Sequence, residues 1–543
     1  MKRSFTLMFA ITLLWSCQNT QKKSCCKSKE SLPYFGKAGK RSKTTNTDLK
    51  TFNVTEYGAI PNDQTDDTDA IQATIDAASQ AEGGIVLIPK GKYIVLSDKS
   101  QKVIEINHSN IHIQGQGEGK DGTIIMSMNP RTQPNDQSPW LSPSVFHTGL
   151  QIHDTYSFYN IKDQEGKIKV TKDARKGADK LSIESTNGIH AGDVVLIGMQ
   201  NQKDQPSLMK KLMNDMKFEK FQTSYSEAKQ KEEWSYQWFT EVKEVINDHE
   251  IMLTHKLRHD IETKYNASAV KMAMLNNISF TNLRFESQWE GGYVHHKTRE
   301  FDYGWSAIGM NRVIDGMVKN ITIDNYTQGV QLVNSTNTTV QDITITGIPG
   351  HYSIKLYHSN DNLFQRIHVL AKRTHGPSVE GASQGNVFTE FDFSTPQPLD
   401  FHGIGGVGLM PPMNNLMENM TNVSAIAGGA APQNTPHAGP GNTFYNIEMT
   451  GNKHGAFHEV FHSWIYQNPK KFKIEKRDDC HIQYIGSNII GVYNEQKNLT
   501  VNQKTNNISS KEVIVKELNS KPATPSLYHT QKEAGCKSNC GSK

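Results

Sequence analysis

Between residues 293 and 402 the chain gathers groups suited to an acidic sugar: Tyr293, His295, His296, Lys297, Arg299, Tyr303, Trp305 and Arg312, then His351-Tyr352 with Lys355, Arg373 with His375, and Asp400 with His402; His437 follows. Several adjoin Gly or Pro, as in Gly350-His351, His375-Gly376-Pro377 and His402-Gly403, which places them on turns where side chains leave the body of a fold. The set suits β-elimination of a uronic-acid polymer. The C5 proton is poorly acidic while the adjacent carboxylate is ionised, so a cation, a hydrogen-bond donor or a bound metal must neutralise that carboxylate. A base then removes the proton and an acid protonates the leaving O4. Arg373 or Lys355 fits the first role, His351 or His375 the second, and Tyr352 or the other His the third; residue type alone does not divide these roles. His402, Asp400, Arg299, Lys297, Tyr293, Trp305 and His437 read as substrate-binding.

Three other chemistries compete. His458-Glu459-Val460-Phe461-His462 fits His-Glu-x-x-His, but zinc proteases need that pattern on a helix, and Val and Phe inside it favour a strand. Glycoside hydrolysis needs two carboxyl groups about 5 to 9.5 Å apart, which Glu380, Asp392 and Asp400 could supply. A glycan-binding protein without catalysis would show aromatics and few titratable groups, the opposite of residues 293 to 402.

The elements that must position these residues show in a repeat. Asp342-Ile343-Thr344-Ile345, Arg366-Ile367-His368-Val369 and Glu390-Phe391-Asp392-Phe393 each run polar, apolar, polar, apolar, at intervals of 24 residues. Asn282-Leu283-Arg284-Phe285 and Asn320-Ile321-Thr322-Ile323 extend the register backwards, Asn419-Met420-Thr421-Asn422 and Asn446-Ile447-Glu448-Met449 forwards. Such spacing fits one rung of a parallel solenoid, whose strands need only ~5 residues at period two. The fold class is therefore all-β, a single-stranded parallel β-helix, whose right hand is what the resemblance described next implies. Six residues past the last apolar position lie His351 and His375, and seven past Phe393 lies Asp400, with His402 close behind. Stacked rungs turn these offsets into a column on one face.

The chain upstream carries a resemblance. Tyr57-Gly58-Ala59 leads into Asp63 to Gln72, Ile71 and Ile75 share a helical face, and Gly83-Gly84, the strand Ile85 to Ile88 and Pro89-Lys90-Gly91-Lys92-Tyr93 follow. Residues 52 to 125 thus resemble the start of the pectate-lyase superfamily of right-handed parallel β-helices, where a short helix plugs the open end of the solenoid. Arg373-Thr374-His375-Gly376-Pro377, Phe401-His402-Gly403 and His437-Ala438-Gly439-Pro440 resemble a rung series of pectate-lyase-like proteins encoded with carbohydrate-degradation systems. The resemblance implies an exported polysaccharide lyase. No calcium-binding Asp cluster of typical pectate lyases is recognisable, so no cofactor and no metal ligand is assigned, calcium stays open, and a sulfated, ulvan-like substrate is favoured over pectate.

The remaining segments frame this core. Residues 1–16 read as an export signal, with Leu14-Trp15-Ser16-Cys17 resembling a lipobox that would lipidate Cys17. Residues 17–50 read as a linker, 51–164 as cap and first rungs, 165–262 as an inserted β-rich lobe, 263–500 as the main rungs and 501–543 as a loose tail. Trp234, Tyr236, Trp238 and Phe239 of the lobe suggest a wall on which sugars stack. A formal charge of +4 gives no case for nucleic acid. The expected protein is an exported monomer, lipid-anchored at an outer membrane or secreted, whose partner is an acidic polysaccharide.

Overall fold

A short strand with apolar residues on one face cannot bury them alone, and in this chain each rung hides them against the next. The computed structural model describes residues 32–41, 49–97, 102–131, 143–149, 161, 164–202, 207–213, 235–403, 410–428, 437–450, 460–463, 486–501 and 513–540; all elements below belong to the unit Pro33–Lys543. Strands Ser279–Ser287, Met317–Asp324, Thr339–Thr346, Leu363–Val369, Val387–His402, Leu416–Gly428, Thr443–Met449 and Asn488–Tyr493 pair in parallel, each with the next. Their register stacks Leu283, Ile321, Ile343, Ile367, Phe391, Met420, Ile447 and Val492 into one buried column. The molecule is a parallel β-helix.

The polar residue opening each repeat has a role that alternation does not reveal. Asn282, Asn320, Asp342, Arg366, Glu390, Asn419 and Asn446 all have φ between 51° and 60°. Each turns its strand through a left-handed corner, and the ladder steps over it, as between Lys319↔Gln341 and Ile321↔Ile343. The conformation costs roughly 1–2 kcal/mol for a residue with a Cβ, least for Asn and Asp. Side chains along the corner offset this: Asn320 donates to Asn282 at 2.9 Å, and Arg366 Nε to Asp342 at 2.5 Å.

A second parallel stack, Ser306–Asn311, Gln328–Val333, Tyr352–Tyr357, Pro377–Glu380 and the distal half of Val387–His402, forms another face of the coil. Buried polar ladders fill the turn between the stacks. Asn362, Asn386, Asn415 and Asn442 donate one to the next at 2.9–3.1 Å, which satisfies groups that would otherwise destabilise a dry interior. At the N-terminal end the helix Thr68–Gln80 lays Ile71, Ile75 and Ala78 on the first rungs.

The inserted lobe is a six-stranded sheet. Ser268–Met272 pairs antiparallel with Val194–Gln200, so this sheet runs past residue 262 and the main rungs begin at Leu275. Of the 208–233 stretch, Leu208–Leu212 is a helix, and residues 214–233 lie outside the described set. Tyr236, Trp238 and Phe239 do not form a sugar-facing wall. Along these residues their strand, Ser235–Asn247, pairs with Val194–Gln200, and all three side chains are buried; Trp234 lies outside the described residues.

Both ends also dock. Phe35 is buried, Arg41 pairs with Glu241 and Asp315, and the helix Leu527–Cys540 buries Tyr528, whose hydroxyl donates to Ala38 O at 3.3 Å. Glu418 caps that helix, accepting from Ser526 Oγ at 2.6 Å and Leu527 N at 2.7 Å. The expected linker and loose tail therefore contain packed segments, their partners lying hundreds of positions away in the chain. Cys17 lies outside the described residues. Among them, no helix is long and apolar enough to cross a membrane.

Candidate active site

The strand Tyr352–Tyr357 is buried throughout and alternates between the inner core and the outer face of the coil: Ile354 and Leu356 point inward, while Lys355 lies in the outward column Gln331, Lys355, Ser378, Asp400. The next outward column is Tyr357, Glu380, His402. Four ionisable groups meet where these columns adjoin. Lys355 Nζ lies 3.7 Å from Glu380; His402 Nδ1 lies 3.3 Å from Asp400 and 3.6 Å from Glu380. Ser378 Oγ donates between the carboxylates, 3.0 Å from Asp400 and 3.2 Å from Glu380. Tyr352, Tyr303 and Tyr357 surround Lys355, with Nζ 4.9–5.5 Å from their ring centres.

Electrostatics settle the protonation of this floor. Burial pushes the Glu380 carboxyl up, but Lys355 and His402 outweigh it and hold it below the usual range. Burial likewise opposes ionisation of Asp400, and His402, His375 and the Ser378 hydroxyl overcome it. Burial acts against the His402 cation too, yet Asp400 and Glu380 raise it above 6.5. For Lys355 burial prevails over Glu380, and its pKa is lowered. Burial drives the Tyr352 phenol well above 10, so it keeps its proton.

Histidines line the approach to this floor. Gly350 and Gly376 set the turns bearing two of them: a Cβ at Gly350 would meet Arg373 Nη1 at 1.8 Å, and one at Gly376, where φ is +49°, would meet Pro398 O at 2.0 Å. On these turns His375 N donates to His351 O at 3.0 Å, and the two rings lie 5.0 Å apart. His375 Nδ1 sits 3.3 Å from Asp400, and its Nε2 faces His295 Nε2 at 3.2 Å. Burial, with repulsion from His375 and His296, lowers His295 to about 3; burial puts His351 well below 6.5. One nitrogen each of His295, His351 and His375 lies within 4.8 Å of the other two.

Asp302 organises the loop carrying His295. It accepts from Tyr293 OH at 2.9 Å, from His296 N at 3.1 Å, and lies 2.8 Å from His296 Nδ1, while its own backbone carbonyl lies 3.2 Å from His351 Nδ1. His296 takes φ +60°, a left-handed conformation held by these contacts.

The residues chosen from sequence divide into two groups. His351, His375, Tyr352, Lys355, Asp400, His402 and Tyr293 come together in this one cluster. Arg373 does not face a substrate: its guanidinium is 1% exposed and donates to the carbonyls of Tyr326 and Thr327 at 2.6 and 3.3 Å, beneath the turn carrying His351. Trp305 stacks on Trp289 in the core, and His437 is buried, its Nδ1 accepting from Gly403 N at 3.2 Å. Lys297 is exposed over the Phe301 ring, and Arg299 is half-buried. Asp392 lies on the other stack, where Thr421 donates to it. His462 is on the strand Phe461–Ser463 rather than a helix, and His458 lies outside the described residues. Sequence placed His295 and His296 only among loop groups suited to an acidic sugar and did not single out Asp302, because all three occupy the insertion that stretches one rung interval to 38 residues. The paired His295-His296 beside Lys297 was the available signal.

Comparison with known proteins adds limited stretches of likeness. A family model described as rhamnogalacturonase A/epimerase, pectate lyase-like, matches residues 51–204. Alginate lyase 7 of Azotobacter vinelandii is 47% identical over 75 residues, 14% of this chain and 8% of that protein. Mannuronan C5-epimerase AlgE1 of the same organism is 43% identical over 84 residues, 15% of this chain and 6% of that one. The chain thus spans less than a tenth of either relative. Among solved structures, the tailspike gp49 of Pseudomonas phage LKA1 aligns over 81% of this chain and 64% of its own, with 11% identity and a TM-score of 0.45.

Proposed function

We propose that this chain is an exported polysaccharide lyase that cleaves a uronic-acid polymer by β-elimination. The observation carrying the reading is a carboxylate-backed imidazole at the rim of a floor whose tyrosine keeps its proton. A carboxylate only accepts, so Asp302 accepts a hydrogen bond from His296 Nδ1–H, which in the neutral ring puts the lone pair on Nε2, the arrangement of a general base. Tyr352, across the ring of His351, is the proton donor for the leaving O4. The names of the two A. vinelandii relatives support a uronate substrate, since C5 epimerisation, like elimination, begins by breaking the C5–H bond. Exposed Lys297 and nearby Arg299 suit a polymer that also bears sulfates, as an ulvan-like chain does. Anchoring through Cys17, an outer-membrane or secreted location and a monomeric state belong to the same proposal.

Hydrolysis fits less well. Glu380 and Asp400 are close enough to share Ser378, but both are held ionised, whereas hydrolysis needs one protonated carboxyl. The test is ultraviolet absorbance of the unsaturated uronate as the protein acts on a panel of uronic-acid polysaccharides. Absorbance should rise, and His296→Ala should slow the rise by on the order of 10²–10⁴-fold. New reducing ends without absorbance would transfer the case to Glu380 and Asp400 as a hydrolase; neither signal would leave a glycan-binding protein.

A further inference from the structure

We propose that His295, His351 and His375 form a binding site for one divalent transition-metal cation of the zinc class. Nitrogens of the three residues lie within 4.8 Å of one another, and the His295 Nε2 to His375 Nε2 separation is 3.2 Å. Tetrahedral coordination at metal–nitrogen distances of about 2.0–2.1 Å sets ligand nitrogens about 3.3 Å apart.

The protons support the same arrangement. His351 Nδ1 faces the Asp302 carbonyl and His375 Nδ1 the Asp400 carboxylate, an arrangement that directs the Nε2 of each ring toward the cluster and, in the neutral tautomer it favours, leaves the lone pair there. Acceptors behind the far nitrogens are what orient histidines toward a metal. A hydrogen bond between His295 and His375 would account for that pair alone. It leaves His351, 0% exposed, with an Nε2 that has no hydrogen-bond partner, an uncompensated loss of hydration. A cation satisfies all three nitrogens.

Two adjoining groups are poorer sites. In His295, His296 and Asp302, the Asp302 carboxylate is already taken by His296 and Tyr293; in His375, Asp400 and His402, the carboxylate accepts from Ser378 and lies 3.3 Å from Nδ1 of both imidazoles. Three imidazoles without a carboxylate ligand favour zinc, cobalt, nickel or copper over calcium and magnesium. Three protein ligands also leave a position open, as catalytic sites do. Resting on the proposed function, this gives the cation a task. Lys355 and His402 are already matched to Glu380 and Asp400, so the buried floor has no surplus positive charge for a uronate carboxylate, and the cation supplies it. His375 is then a ligand, and His296 remains the base.

Cobalt(II) is the probe. Full-length protein, freed of metal by a chelator and titrated with Co²⁺, should bind about one equivalent, give visible bands of low-coordinate nitrogen ligation and release it to Zn²⁺. His295→Ala, on the loop, and His351→Ala should each lose at least tenfold in affinity, while His368→Ala, on the other stack, should bind as the parent does. No cobalt bound, or affinity unchanged in both cluster variants, would overturn the site. Lyase activity measured alongside separates the two claims: full activity in metal-free protein refutes the cation's role and leaves the lyase intact. Stoichiometric cobalt lost in His295→Ala, without action on any uronate polymer, upholds the site and refutes the lyase.

Discussion

At the scale of single residues, the buried floor is a matched set whose members depend on one another. Lys355, 2% exposed, neutralises Glu380, itself 5% exposed. Lys355→Met should therefore destabilise the protein by roughly 3–5 kcal/mol by leaving a buried carboxylate short of charge, and adding Glu380→Gln should recover a large part. Urea midpoints of the two variants check this; equal midpoints would mean that His402 alone satisfies Glu380. Residue types and rung offsets were enough to find His351, His375, Asp400 and His402, because stacking makes equal offsets into neighbours. They were not enough for Arg373, whose cation reads as substrate-facing in sequence but turns beneath the His351 turn to the carbonyls of Tyr326 and Thr327. Nor could offsets reach His295, His296 and Asp302, which approach the site from a loop outside the repeat.

The strands form a repeat because each one carries its own corner. Apolar alternation made the rungs legible from Leu283 to Ile447, but the polar residue before each apolar pair read only as a surface position. Its left-handed φ recurs in seven rungs and explains why Asn fills four of them. Asn282→Ala should cost roughly 1–2 kcal/mol, from the strained Cβ and the lost bond from Asn320, whereas Asn282→Gly should stay within about 1 kcal/mol of the parent. Chemical denaturation of the two variants decides; an alanine variant as stable as the glycine one would show that the corner relaxes.

For the whole molecule, the coil buries histidines that must stay neutral. Burial lowers His112 and His147 from 6.5 to about 4. Between these values the unfolded chain binds protons that the folded chain refuses, so the contribution of these two histidines to stability is flat above pH 6.5 and falls as pH drops toward 4. His147, with neither ring nitrogen hydrogen-bonded, accounts for about 3 kcal/mol of that loss at most. The denaturant midpoint should drop between pH 7 and pH 4.5, and His147→Leu should flatten the slope; an unchanged slope would put the acid sensitivity elsewhere. The docked ends belong to this scale too. Polar composition around Phe35 and Tyr528 gave no local sign of packing, since their partners come from the far end of the chain.

The central claim is that the site breaks a uronate's C5–H bond and expels O4 without adding water. Its most direct test is the mass of fragments from a defined oligouronate treated with the full-length protein. Elimination predicts that each cut leaves one fragment a water lighter than the hydrolysis product, with His296→Ala slowing its appearance. Fragments that all carry the added water would contradict the account.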